Sequence, residues 1–115
     1  MKTQIKRSGL ALSENYLDKV AHRFKALGEP TRLKLVHALM AGEKSVGVLV
    51  EETGLNQANA SRHLHNLVQA GIVARRKDGN FVYYRIEDAT VFDLCDLVCN
   101  SLREQHKQAS GLFQG

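Results

Sequence analysis

The sequence predicts a mainly α-helical fold that carries one small β-hairpin. Three observations point there. Apolar residues recur at helical spacing through most of the chain. Two of these helical segments are separated by only Gly54-Leu55-Asn56. Asp78-Gly79 then divides two runs rich in β-branched and aromatic residues, a hairpin signal because a tight turn there needs positive φ.

Taken in order, residues 1–12 read as a loosely held basic arm with Lys2, Lys6 and Arg7. Ser13 can cap a first helix to Leu27, on which Tyr16, Val20 and Phe24 recur every four residues. Gly28 ends it. Pro30 suits the first turn of a second helix, residues 30–41, with Leu33, Val36, His37 and Met40 expected on its inner side. Ser45 can cap a short third helix, 46–53, closed by Gly54.

Asn56 can cap a fourth helix, 57–70, closed by Gly71. Its Ala60, Leu64, Leu67 and Val68 face one way, and Ala58, Arg62, His65 and Gln69 the other. Strands follow at 72–77 and 81–86, with Val82, Tyr84 and Ile86 sharing one face. Asp88 can cap a last helix, 89–107, and the tail 108–115 has no periodicity and is expected to fray. The body of the domain is therefore residues 13–107. Five helices with a three-residue link between the third and fourth, plus a two-stranded hairpin, describe a winged helix-turn-helix.

Charge adds a second, independent signal. The chain of 115 residues holds 16 Lys and Arg against 12 Asp and Glu. Residues 57–85 alone carry Arg62, Arg75, Arg76, Lys77 and Arg85 against Asp78, so the net +4 resides there and the remainder balances. Positive charge confined to one helix and one hairpin fits a phosphate backbone better than a merely solvated surface, which would mix the signs. The fourth helix fits a major groove. Gln57 and Asn59 can read adenine, Arg62 can fork onto guanine, and Ser61 and His65 can take bases or phosphates. Arg75, Arg76, Lys77 and Asn80 on the hairpin would clamp the neighbouring backbone.

The composition excludes other classes. Apolar runs are too short to span a bilayer, so no membrane partner is expected. Two cysteines four residues apart suit a reduced, cytoplasmic protein better than a disulfide scaffold. A nucleophilic enzyme would need a base and an oxyanion site beside Cys95 or Cys99, and only His106 lies within reach in the sequence. No catalytic site is expected. Single His22 and His37 read as core histidines or as supports behind a site, and His63 as a packing and phosphate-contacting residue.

The segments LGEPTRLKLVHAL, GLNQANASRHLHNLVQAGIV and RRKDGNFVYYRIED resemble the arsenic-repressor (ArsR/SmtB) family of bacterial transcription regulators, across residues 14–105. The resemblance implies a homodimer whose first and last helices form the interface. It implies repression at an imperfect palindrome in double-stranded DNA, and release when an effector binds. A winged-helix module that docks protein or RNA without sensing is the alternative.

The family's sensing sites transfer poorly. Where some members have a Cys-x-Cys at the third helix, this chain has Ser45 and Gly47. The positions of the family's zinc site read Asp88, Thr90, Ser101 and Glu104, so both imidazoles are missing. Val36 stands where sulfur-sensing members place a thiol. What remains is Cys95 and Cys99, one turn apart on the last helix, with His106 on the same stripe. No cofactor is required. Soft thiolates suit As(III), Sb(III), Zn(II), Cd(II) or Cu(I). A thiol redox or persulfide switch and plain packing are the other readings of the pair.

Overall fold

A computed structural model describes residues 13–114; the arm expected at residues 1–12 lies outside them. The elements run α1 (Glu14–Leu27), α2 (Pro30–Leu39), β1 (Lys44–Ser45), α3 (Val46–Thr53), α4 (Gln57–Gln69), β2 (Val73–Asp78), β3 (Phe81–Ile86) and α5 (Thr90–Gln114). Among the described residues no helix is long and apolar enough to cross a membrane.

The helix starts follow from side chains that accept orphan N–H groups. Ser13 Oγ accepts from the Tyr16 amide, Ser45 Oγ from Val48 and Asn56 Oδ1 from Asn59. Glu29, extended ahead of Pro30, caps α2 by accepting from the Arg32 amide at 2.8 Å. Gly54, at φ 76°, closes α3 before the short link to α4. The core lies where α2, α3 and α4 meet the inner face of the sheet. Leu35, Val36, Leu39, Leu49, Leu64, Leu67, Ile72 and Val73 are almost wholly buried there.

The end of α4 positions the wing. Gly71, at φ 77°, donates to the Val68 carbonyl and Ile72 donates to Leu67, a paired closure that uses two orphan carbonyls. The Ile72 carbonyl then accepts from Glu87 at 2.8 Å, tying the start of the hairpin to its exit. Asp88 Oδ1 accepts from the Thr90 amide and hydroxyl, starting α5, and its other oxygen pairs with Arg23 of α1.

Several expectations are corrected. The wing is not only two-stranded. Lys44 and Ser45 pair antiparallel with Tyr84 and Tyr83, so the sheet has the order β1-β3-β2; two residues are too few to show a period. Asp78 pairs with Phe81, which places the two-residue loop at Gly79-Asn80 rather than Asp78-Gly79. Only Val36 of the four residues expected inside α2 is buried; Leu35 and Leu39 do the packing, and Leu33 and His37 are exposed. Helix α5 continues through Gln114, past the end expected at Lys107.

The Arg23–Asp88 joint should show in acid. Hydrogen bonds from Thr90, then the Arg23 guanidinium, hold the Asp88 carboxyl below its ordinary 3.8. A lowered folded-state pKa contributes stability above the ordinary value, and this is lost as pH falls through the lowered one. Asp88→Asn should therefore be less stable than wild type near neutrality. The gap in thermal midpoint should narrow as pH drops below about 4; a gap that is constant with pH would contradict the assignment.

Candidate nucleic-acid interface and thiol groove

The outward side of α4 carries Gln57, Arg62 and His65 exposed, with Asn59 and Ser61 half-buried beside them. The row is internally braced. The Asn56 side chain fixes the first turn, and Arg62 Nη2 donates to Asn59 Oδ1 at 2.6 Å. Asn59 thus keeps its amide N–H₂ free, while its oxygen is engaged. Among the described residues no carboxylate lies within ion-pair distance of Arg62, Arg75 or Lys77.

The hairpin does not present its cations as one cluster. Arg75 pairs with Tyr84 and Lys77 with Val82, so both stand on the face of the sheet that continues into the core. Arg76 pairs with Tyr83 and stands on the other face. Its guanidinium lies 4.6 Å from the Tyr83 ring centroid. It donates to both Glu43 oxygens, at 3.1 and 2.8 Å, and more weakly to Asp78. The Glu43 hydrogen bonds raise the Arg76 pKa, and Arg76 in turn lowers that of Glu43. Arg76 therefore splints the wing to the segment before β1, which a sequence reading of Arg75-Arg76-Lys77 as equivalents misses. Asn80 is exposed in the turn.

His63 is the one buried polar side chain among the described residues, 7% exposed on the inner face of α4. It packs as expected but is too enclosed to reach a phosphate.

A groove of about 430 Å³ opens between α1, α2 and α5. Its walls are almost entirely apolar and include Phe24, Leu33, Met40, Val98 and Leu102. Cys95 and Cys99 both line it, Cys95 half-buried and Cys99 exposed. Burial, and then the charges of Asp96 and Cys99, push the Cys95 thiol pKa up. Arg103 Nη2 donates to Cys99 Sγ at 3.6 Å. The imidazole on this groove is that of His37, from α2, rather than the expected His106. The α2 face that was expected inside the core instead forms one wall. Among the described residues no three His, Cys, Asp or Glu side chains converge as a metal centre. At the family's zinc positions, Asp88 is engaged with Thr90 and Arg23, and Ser101 and Glu104 are exposed.

Comparison with known proteins places this geometry. Residues 29–75, spanning α2 to the start of the hairpin, match the family model for bacterial regulatory proteins of the arsR family. A probable mercury resistance operon repressor of Streptomyces lividans is 38% identical over 97 residues, 82% of this chain and 78% of its own. A biofilm growth-associated repressor of Xylella fastidiosa is 35% identical over 96 residues, 84% of each chain. Among solved structures, a homodimeric winged helix-turn-helix DNA-binding domain from Mycobacterium bovis superposes with a TM-score of 0.75. It is 33% identical and the match covers 86% of this chain and 94% of that one.

The two thiols should differ in reactivity. In the monomeric chain near neutral pH an alkylating reagent should modify Cys99 well before Cys95, because Cys99 is exposed there and the Cys95 thiolate is disfavoured by burial. Peptide mapping after timed alkylation checks this. Equal rates would mean that the groove does not shield Cys95.

Proposed function

The chain belongs to the arsR family of bacterial regulatory proteins, and from that premise we propose that it is a homodimeric, DNA-binding transcriptional repressor of a palindromic operator, released by an effector. The family comprises regulators rather than enzymes. The observation that carries the reading is the outer face of α4. It offers donors and acceptors with no competing acid, braced by Asn56 and Asn59, on a helix whose inner face is locked into the core. Such a helix can enter a major groove without first being ordered. Arg75 and Lys77 then hold phosphates, while Arg76 holds the wing.

Dimerisation is supported by apolar surface that one chain leaves open. Tyr16 and Phe24 of α1 are 41% and 56% exposed, and Leu97, Val98 and Leu102 of α5 are 68%, 53% and 60% exposed. Phe24, Val98 and Leu102 line one groove, and exposed apolar surface of this kind marks a protein contact. The Mycobacterium bovis domain, described as homodimeric, supports a second copy as the partner. Two α4 helices would then meet half-sites about one helical turn apart.

The effector belongs to the same proposal. Cys95 and Cys99 share one groove wall on α5, so a soft metal or metalloid ion, or a thiol-reactive species, would act on a helix of the proposed interface. Any such coupling is reciprocal: DNA must weaken effector binding by the factor that effector weakens DNA binding. Replacing both cysteines by serine should remove the response to As(III), Sb(III), Zn(II), Cd(II), Cu(I) or polysulfide and preserve DNA affinity, since α4 is a separate element.

A duplex selected by the protein from a randomised pool is the reagent that tests the reading. Arg62→Ala should weaken that duplex by about 1–3 kcal/mol and relax preference at one base pair. Arg75→Ala or Lys77→Ala should weaken all sequences alike and shrink the salt slope by about one each. Arg76→Ala should change the slope less, because Glu43 already balances its charge. Failure to enrich any sequence would defeat the reading.

Leu102→Glu should give monomers in sedimentation at micromolar concentration, with operator binding weakened. A stable wild-type monomer under those conditions would defeat the dimer.

A further inference from the structure

The α2 N-terminus and the inner face of α4 meet at a group of polar atoms that the interface does not use. His63 Nδ1 is buried and has no hydrogen-bond partner; its nearest carboxylate oxygen is Glu29 Oε1, 3.9 Å away. Arg32 Nε is also buried without a partner. The Glu29 carboxylate is held by the Arg32 amide and kept ionised below its ordinary pKa, first by that hydrogen bond and also by His63 and the Arg32 charge. Its backbone is extended at φ −136° and is constrained by Pro30 behind it. So a fixed anion on α2 faces a buried, unpartnered imidazole nitrogen on α4.

A buried imidazole nitrogen without a partner costs its desolvation, so its presence calls for an explanation. Leu64 and Leu67, on the same face, show that an apolar side chain would pack. We propose that Glu29 and His63 are a positioning pair for the reading helix. The Nδ1 edge of His63 faces the Glu29 carboxylate across 3.9 Å, an electrostatic contact too long for a hydrogen bond, and this contact orients the packed α4 against the start of α2. The inference rests on α4 being the DNA-reading helix. His63 touches no base; it acts through neighbouring Arg62 and His65, which α4 presents on its outer face. In some folds a buried polar contact fixes register even where it adds no stability.

The test separates aim from stability. The probes are the duplex selected by the wild-type protein and the unselected randomised pool. His63→Leu should keep or raise the thermal midpoint, bind the pool as before and lose about tenfold or more on the selected duplex. His63→Asn, which returns a donor near the Nδ1 position, should regain most of that loss. Glu29→Gln, which keeps the cap acceptor, should fall between wild type and His63→Leu. Unchanged discrimination in His63→Leu, or no rescue by His63→Asn, overturns the proposal. Should His63→Leu not fold, Glu29→Gln and His63→Asn carry the same comparison. Imidazole ¹⁵N spectra of the free wild-type protein judge the pair apart from DNA. A protonated Nδ1 is expected, and a bare Nδ1 overturns the pairing. A wild type that selects no duplex defeats the DNA reading instead, leaving the spectrum to decide the pair.

Discussion

The backbone of Ile72 is the joint on which the arrangement depends. Its N–H closes α4 on Leu67, and its carbonyl receives Glu87 at the exit of β3. Its side chain is fully buried. One residue thus fixes where α4 stops, where the hairpin leaves and where α5 begins. Gly71 makes this possible, because only a residue tolerant of φ 77° can turn the chain tightly enough to place Ile72 there. Reading helix and wing therefore meet at one corner that main-chain bonds close.

Helix α5 stands in contrast to that corner. It has 25 residues, about 37 Å of helix. Val91 is buried, Leu94 and Cys95 are half-buried, and every residue from Asp96 to Ala109 is exposed. A helix packed against its own domain only at one end gains most of its stability from whatever else covers it. The thiol groove sits where the packed part gives way to the exposed part, so a ligand there would act at the boundary between domain and proposed interface.

The sequence made the punctuation legible. Ser13, Ser45 and Asn56 cap the helices that their positions indicate, and Gly54 and Gly71 close them with positive φ. These are local effects, decided within four residues. The errors arose where distance decides. Lys44 and Ser45 become a strand only because Tyr83 and Tyr84 lie beside them. Leu33 and Leu35 are equally apolar, and only the placement of α3 and α4 determines which is buried. Arg75, Arg76 and Lys77 look interchangeable until Glu43, more than thirty residues earlier, claims the middle one.

The hydrogen bond between Arg62 and Asn59 has a consequence for how such a chain could diverge. Two residues joined as donor and acceptor of one hydrogen bond do not vary independently. Replacing Asn59 frees the guanidinium to adopt other rotamers, and replacing Arg62 frees the Asn59 oxygen for a new donor. Each single change disturbs both positions at once, so paths to a new binding preference would pass through the pair together. Among descendants of this chain the two sites would then covary, one turn apart on the same helix, as a single inherited unit.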